Sequence, residues 1–209
     1  LVFEAGFWTA IGFSSLRIIG GLLLGMIAGV MLAAASGRSK RLRILLEPLY
    51  SAMKSVPVAS FVILVLIWSG SRNLSVVISL LMVLPVIYTG VLEGILQRDP
   101  GLQEMAKVFG IPRIRRLRAI DVPAVMPYFS ASSKVALGLC WKSGIAAEVI
   151  GLPSGSIGEK LYQAKIFLGT SELFGWTIVI VLISWLFERI FLRALASYGR
   201  HLNRKEEGL

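Results

Sequence analysis

The chain has 209 residues, of which 56% are hydrophobic and 16% charged, and a net charge of +10. Its mean hydropathy of +0.76 exceeds that of soluble domains and places the chain in a membrane. A run of about 18 or more apolar residues can cross a hydrocarbon core of roughly 30 Å. Because the basic residues flank such runs and are not interleaved with aromatic residues, they indicate membrane topology and exclude a nucleic-acid partner.

The first long uncharged run extends from Ile18 to Gly37. Small residues recur in it at every fourth position: Gly21, Gly25, Gly29 and Ala33. This spacing places them on one helix face and predicts close packing against another helix. A basic cluster follows, formed by Arg38, Lys40, Arg41 and Arg43. Because basic clusters beside a span mark the cytoplasmic side, we expect the first span to run inwards.

Four further apolar segments follow along the chain. Ser55 to Ser71 begins near Pro57 and predicts an outward second span, and Asn73 to Leu92 predicts an inward third span. Leu173 to Phe187 predicts a fifth span. The fourth, Val122 to Gly151, is interrupted by three charged residues: Lys134, Lys142 and Glu148. Charges at that depth require protein or water around them and not lipid.

The basic clusters agree on one topology. Residues 36–43, 98–119 and 198–209 carry the clusters and are expected in the cytoplasm, whereas residues 151–172 are expected outside. Five spans in this order put the amino terminus outside, and a helix ahead of them would return it to the cytoplasm. The sequence therefore predicts an all-α, polytopic membrane protein with about five spans in this chain and a first helix missing from it.

A short punctuated segment joins the third and fourth spans. Asp99-Pro100-Gly101 is typical of a helix start, and Leu102 to Phe109 predicts a short helix that Gly110 ends. Pro112 begins a second helical piece that alternates arginines with apolar residues: Arg113, Ile114, Arg115, Arg116, Leu117, Arg118 and Ile120. We call residues 98–119 the elbow. Composition alone leaves two interpretations of the elbow. It is either a contact through which a partner protein moves the adjoining spans, or a basic loop bound to anionic lipid.

The order of residues in the elbow resembles a known signature. Glu104-Met105-Ala106, three residues, Gly110, nine residues, Ile120, one residue and Val122-Pro123 is similar to the EAA motif of permease subunits of ATP-binding cassette importers. Met105 and Val122 depart from that motif, both conservatively. The stretches LLEPLYSAMKSVPVASFVILVLIWSG, VLPVIYTGVLEGI and ALGLCWKSGIAAEVIG resemble the nitrate, sulfonate and taurine branch of these permeases.

This resemblance implies a type I importer permease fold over residues 1–209, in the cytoplasmic membrane of a bacterium or archaeon, with a sixth helix ahead of the five. It implies that the elbow is a coupling helix in a groove of a cytoplasmic ATPase dimer, which binds the ATP. The ATPase-docking residues would be Glu104, Met105, Ala106, Gly110, Arg113, Arg115 and Arg116. The remaining implied partners are a second permease subunit as a homodimer, an external substrate-binding protein and membrane lipid.

The sequence offers little for catalysis or for a cofactor of its own. His201 is the sole histidine and has no partner at metal-ligand spacing, while Cys140 is the sole cysteine and is expected in the core. The segment GLPSGSIGEK lacks the spacing of a phosphate-binding loop, because Glu159 separates Gly158 from Lys160. We therefore expect a transport subunit and not an enzyme, without a bound cofactor or metal.

The charges of the fourth span point to a translocation path. Lys142, Ser143 and Glu148 are predicted to line it, although compensation by a neighbouring helix would also explain the two charges. The alternative function is a gated channel or ion-coupled secondary carrier. In that case Lys142 and Glu148 form an ion or proton relay, and the elbow only anchors the chain at the membrane surface. For an importer, the branch suggests a small anion such as a sulfonate, nitrate or taurine, or a nitrogen heterocycle.

Overall fold

The structure is a computed structural model that describes residues 5–206, with side chains described for residues 6–197. The long helices are α1 (Ala5–Arg38), α4 (Leu74–Leu96), α7 (Val122–Gly151) and α9 (Thr170–Glu206). The shorter ones are α2 (Lys40–Ser55), α3 (Val58–Ser69), α5 (Pro100–Val108), α6 (Arg113–Arg116) and α8 (Ile157–Ile166), and a π-helical turn covers Leu117–Asp121. The described residues contain no strand, so the predicted all-α class is confirmed.

Helices α1 and α4 run parallel and touch along the predicted ridge of small residues. A Cβ atom on Gly21 would collide with the Val76 carbonyl oxygen, and one on Gly25 would lie 2.9 Å from the Val83 Cβ. One on Gly29 would lie 3.0 Å from the Ile87 Cβ. The residue numbers of the contacted positions in α4 increase together with those of the glycines in α1, so the two helices run parallel. The prediction that this ridge is a helix-packing face is confirmed.

Helix α7 packs antiparallel against α4 and completes a three-helix core. The Ser79 hydroxyl donates to the Cys140 carbonyl at 3.4 Å near one end, while Gly90 meets Ser132 towards the other. Cys140 is fully buried, as expected. The elbow and the ends of α1 and α4 therefore lie together at one end of the core, which we call the basic end. Arg38, Arg98 and Arg116 of the first two basic clusters line one cavity there.

The second predicted span, Ser55 to Ser71, is occupied by α3, with Pro57 at its amino-terminal cap. Helix α2, which no predicted span covered, precedes it and meets α3 at an angle of 104°. At the junction, Val56 is extended with φ −75° and ψ 130°, as the residue before a proline prefers, and Pro57 cannot continue the hydrogen bonding of α2. The 12 residues of α3 extend only about 18 Å, less than a bilayer core.

Among the described residues, two helices, Gly6–Arg38 and Leu74–Leu96, are long and apolar enough to cross a membrane, and the bent pair would make a third span. The predicted fourth span is α7, with 30 residues, and the predicted fifth lies inside the 37 residues of α9. Both exceed the length needed to cross a bilayer, and both contain charged residues: Lys134, Lys142 and Glu148 in α7, and Glu172, Glu188, Arg189 and Arg193 in α9. The predicted tail at 198–209 falls partly outside the described residues, which end at 206 and give no side chains beyond 197.

The ridge allows a paired test of the packing between α1 and α4. Alanine at Gly21 should lower the free energy of unfolding by about 1–3 kcal/mol, because its Cβ would push against the backbone of α4. A Cβ added to the neighbouring Gly20 would have nothing within 4 Å, so Gly20→Ala should be neutral or slightly stabilising. Thermal denaturation of both variants in one detergent measures the difference. Equal melting temperatures would contradict the packing.

Candidate functional site

The first half of the elbow is a capped helix. The Asp99 carboxylate accepts a hydrogen bond from the Gly101 amide at 2.7 Å, and Pro100 occupies the first helical turn of α5. Gly110 ends the helix with φ +61°, and the Ile111 amide donates to the Ala106 carbonyl at 2.9 Å. The predicted helix and its stop at Gly110 are both observed, and the helix starts two residues earlier than predicted.

The exposed face of α5 combines one carboxylate with bulky apolar groups. Glu104 and Met105 are exposed, whereas Ala106 is buried against the rest of the chain. Val108 and Phe109 are 83% and 75% exposed, which is unusual for side chains of this kind in water. Of the predicted docking residues in α5, Glu104 and Met105 thus face outwards and Ala106 faces inwards.

The arginines behind α5 divide into two groups. Arg113 and Arg115 are exposed and free to reach a partner. Arg116 is turned inwards, and its Nε lies 3.7 Å from a carboxylate oxygen of Asp121. Gly110 and Arg116 therefore shape the elbow, while Glu104, Met105, Arg113 and Arg115 form its accessible surface.

Asp121 is the residue that sequence reasoning missed. It is buried, and its Oδ1 accepts from Arg98 at 2.6 Å and from Gln103 at 2.9 Å. With Arg116 on its other oxygen, one carboxylate joins the end of α4, the body of α5 and α6. An acidic residue directly before an apolar span was a visible signal, but its partners are 18 and 23 positions away along the chain.

The second half of the elbow continues into α7 without a loop. Helix α6, the π-helical turn Leu117–Asp121 and α7 follow one another with helical backbone angles. Short π-helical turns inside α-helices occur frequently at functional sites. A displacement of the elbow would therefore reach α7 directly, and the Asp121 carboxylate would carry α5 along with it.

The two charged residues predicted for the path, Lys142 and Glu148, do not face each other. Lys142 is exposed, whereas Glu148 is completely buried inside its own chain. Six positions turn a helix by about 600°, which places the side chains on different faces. Ser143 is buried, and its hydroxyl donates to the Leu139 carbonyl at 2.8 Å. Of the three predicted path residues, only Lys142 lies on an open surface.

Glu148 fastens the end of α7 to α1 and α8. Its Oε2 accepts from the Ser14 hydroxyl at 2.6 Å and from the Gly158 amide at 3.3 Å. The Ser14 oxygen in turn accepts from the Ile157 amide at 2.9 Å. Free amides and the helix dipole at the start of α8 favour a negative charge there. The neighbouring-helix explanation thus accounts for Glu148.

Lys142 lies on a free face of α7. The positions on this face share small or apolar side chains apart from the lysine: Ala131, Val135, Gly138, Lys142 and Ala146. They recur every three or four residues, and all are exposed except Gly138, where a Cβ would have nothing within 4 Å. We call them the α7 stripe. Lys134 is placed differently, since it lines a groove with Glu188 and Arg189 of α9.

The family comparison agrees with this arrangement. Residues 21–202 match the family described as binding-protein-dependent transport system inner membrane component. The chain belongs to this family. It is thus an ATP-binding cassette importer permease, a multi-pass protein of the cytoplasmic membrane and not an enzyme, and the resemblance found in the elbow is confirmed.

Curated relatives place the permease in the sulfonate and taurine branch. It is 28% identical over 183 residues to the putative aliphatic sulfonates transport permease protein SsuC of Bacillus subtilis (strain 168), covering 85% of this chain and 66% of that protein. It is 27% identical over 196 residues to the taurine transport system permease protein TauC of Escherichia coli (strain K12), covering 92% of this chain and 70% of TauC. The chain thus spans about two thirds of the length of these relatives.

The permease fold itself has a solved counterpart. A crystal structure of an amino acid ABC transporter with histidines matches with a TM-score of 0.65 and 19% identity, covering 94% of this chain and 93% of that chain. This likeness concerns the fold alone. Within the described part of the permease, no group of three or more His, Cys, Asp and Glu side chains is placed to hold a metal ion.

The contacts of Asp121 with Arg98, Gln103 and Arg116 predict how firmly α5 is attached to the core helices. Asp121→Asn removes the charge that two guanidinium groups share, which should cost about 1–3 kcal/mol in the attachment of the elbow. Trypsin cleavage of the purified protein at the exposed Arg113 and Arg115 should become roughly 5- to 150-fold faster, because cleavage follows the population of the open form. Asp99→Asn is the control, since asparagine caps a helix as well as aspartate. Wild-type cleavage of Asp121→Asn would contradict the proposed attachment.

Proposed function

We propose that this permease forms, with a second copy of itself, the translocation path for a small anion, driven by a cytoplasmic ATPase dimer and supplied by an external binding protein. The observation that carries the proposal is the elbow. Its helix α5 exposes Glu104, Met105 and Val108 while Asp121 holds its other face to the membrane core. A rigid, capped helix with one exposed carboxylate and apolar side chains suits a cleft of a partner protein.

The coupling step follows from the connections of the elbow. Closure of two ATPase subunits on ATP would displace α5, and Asp121 would transmit the displacement to Arg98 at the end of α4 and to α7. Because α6 and the π-helical turn run into α7 without a loop, the core helices would move as rigid bodies. This chain needs no nucleotide site of its own for that mechanism, and ATP would bind to the partner.

The α7 stripe is our candidate for the wall of the path. Lys142 lies nine residues before the end of α7 at Gly151, or about 14 Å along the helix axis. A lysine at such a depth is costly in lipid but favourable beside a passing anion or in water. The names of the two relatives concern aliphatic sulfonates and taurine, both of which carry a sulfonate group. Lys142 therefore favours an anionic solute over a neutral heterocycle.

The channel or carrier alternative gains no support from these placements. A relay through Lys142 and Glu148 would need the two side chains in contact or in one hydrated space. Glu148 is instead enclosed by Ser14 and the start of α8, away from the α7 stripe.

The elbow gives the decisive functional test. Gly110→Val should abolish binding-protein-stimulated ATP hydrolysis and uptake together, because a β-branched residue at φ +61° costs about 1–2 kcal/mol and would misplace α5. Gly110→Asn is the matched control, since asparagine tolerates this backbone conformation, and it should retain most activity. Glu104→Lys should weaken co-purification of the ATPase. Uptake that persists without the ATPase would overturn the importer mechanism.

The path is tested separately at Lys142. Lys142→Met should lower uptake of an anionic solute such as taurine at least tenfold while co-purification of the ATPase stays normal, because the elbow is untouched. Lys134→Met is the control, since that lysine faces α9 and not the α7 stripe. Lys142→Arg, which keeps the charge, should retain more uptake than Lys142→Met. Unchanged uptake in Lys142→Met would remove Lys142 from the path.

A further inference from the structure

A cavity of about 480 Å³ opens at the basic end between α1, α4, α7 and α9. Its volume lies within the roughly 300–1,000 Å³ that is typical of small-molecule sites. Most of its lining is aliphatic or aromatic, and the polar lining residues are Arg38, Arg98, Arg116 and Asp121. The cavity is therefore amphipathic, with apolar walls and a basic rim.

The rim carries an excess of positive charge. Three guanidinium groups face a single carboxylate, and both oxygens of Asp121 are engaged by Arg98 and Arg116. The charge of Arg38 is thus not balanced by any other residue that lines the cavity. Each guanidinium has five N–H donors in a planar arrangement, so Arg98 and Arg116 can hold Asp121 and still donate to a further anion.

The depth of the cavity identifies the ligand. Arg38 ends α1, the first membrane-spanning helix, while Val30 lines the same cavity eight residues earlier, about 12 Å deeper along the helix. The rim therefore lies at the level of lipid headgroups and the walls extend to the level of acyl chains. A free anion would gain nothing from the walls, and a neutral lipid would gain little from the three arginines. Basic pockets between membrane helices on the cytoplasmic side suit anionic lipid headgroups.

We propose that this cavity binds one anionic phospholipid of the cytoplasmic leaflet. Its phosphate lies on Arg38, Arg98 and Arg116, and one acyl chain lies along Val30, Ala34 and Phe129. Because Arg98 and Arg116 also hold Asp121, the bound lipid shares the arginines that fasten the elbow. The site thereby links lipid composition to the position of α5, independently of which solute is carried.

Native mass spectrometry of the purified full-length chain tests the proposal without a transport assay. The protein is incubated in mild detergent with phosphatidylglycerol or with phosphatidylcholine of the same acyl chains, and retained lipid is counted per protein. Wild type should retain one phosphatidylglycerol in preference to phosphatidylcholine. Arg38→Gln should reduce that retention about fivefold, the effect of one basic residue on anionic lipid. Arg41→Gln, which removes the same charge from an exposed position that does not line the cavity, should bind as wild type does.

A second pair of variants tests the apolar walls. Ala34→Phe should fill the cavity and lower retention of phosphatidylglycerol, whereas Met31→Phe, on the exposed face of the same helix, should not. Size-exclusion chromatography checks that each variant is folded, and Arg38→Gln decides the matter if Ala34→Phe does not fold.

Four outcomes would overturn the proposal. Equal retention of the two lipids would show an apolar groove without headgroup recognition. Equal losses in Arg38→Gln and Arg41→Gln would show diffuse surface attraction. Displacement of the lipid by millimolar inorganic phosphate would show a free-anion site, and a crosslink from Ala34 to a second copy of the chain would show a protein contact.

Discussion

The carboxylate of Asp121 fastens α5 to the membrane core through Arg98, Gln103 and Arg116. Hydrogen bonds to a charged group contribute about 1.5–3 kcal/mol each, more than the neutral amide-to-carbonyl bond from Ile111 to Ala106 that ends α5. Without this carboxylate, α5 would be held by the burial of Ala106 and by short connections at Asp99 and Gly110. The coupling role that we propose for the elbow depends on this interaction, because α5 can transmit a displacement to the core only if it is firmly attached to it.

A second buried carboxylate performs a similar task at the opposite end of the same helix. Glu148 joins α7 to Ser14 of α1 and to the start of α8, as Asp121 joins it to α4, α5 and α6. Between these two points, α7 packs against α4 through small residues such as Gly90 and through the Ser79–Cys140 hydrogen bond. Helix α7 is thus fixed to different neighbours at each end, which suits it to move as a rigid body when the elbow moves.

Local patterns predicted the parts of this arrangement that depend on neighbouring residues. The glycine ridge follows from a repeat of four, and the bounds and caps of α5 follow from Asp99, Pro100 and Gly110. Tertiary contacts decided the rest. Nothing local links Glu148 to Ser14, 134 positions away, and periodicity alone does not show which face of α7 packs inwards. The second predicted span holds one helix, α3, that begins directly after Pro57, whereas the angle of 104° between it and the preceding α2 was not predicted.

Lys142 and Glu148 of α7 differ in how the free-energy cost of an ionisable group in a membrane is compensated. One carboxylate oxygen of Glu148 accepts from the Ser14 hydroxyl and from the Gly158 amide at the start of α8, so contacts within the chain account for its position without a solute. Lys142 lies on a face that the chain leaves open, among side chains too small or too apolar to compensate it. Its compensation must come from outside this single chain, from a second copy, water or a passing anion. This uncompensated charge on a free helix face is the reason why Lys142, and not Glu148, is proposed for the path, a distinction that the sequence spacing of the two residues could not make.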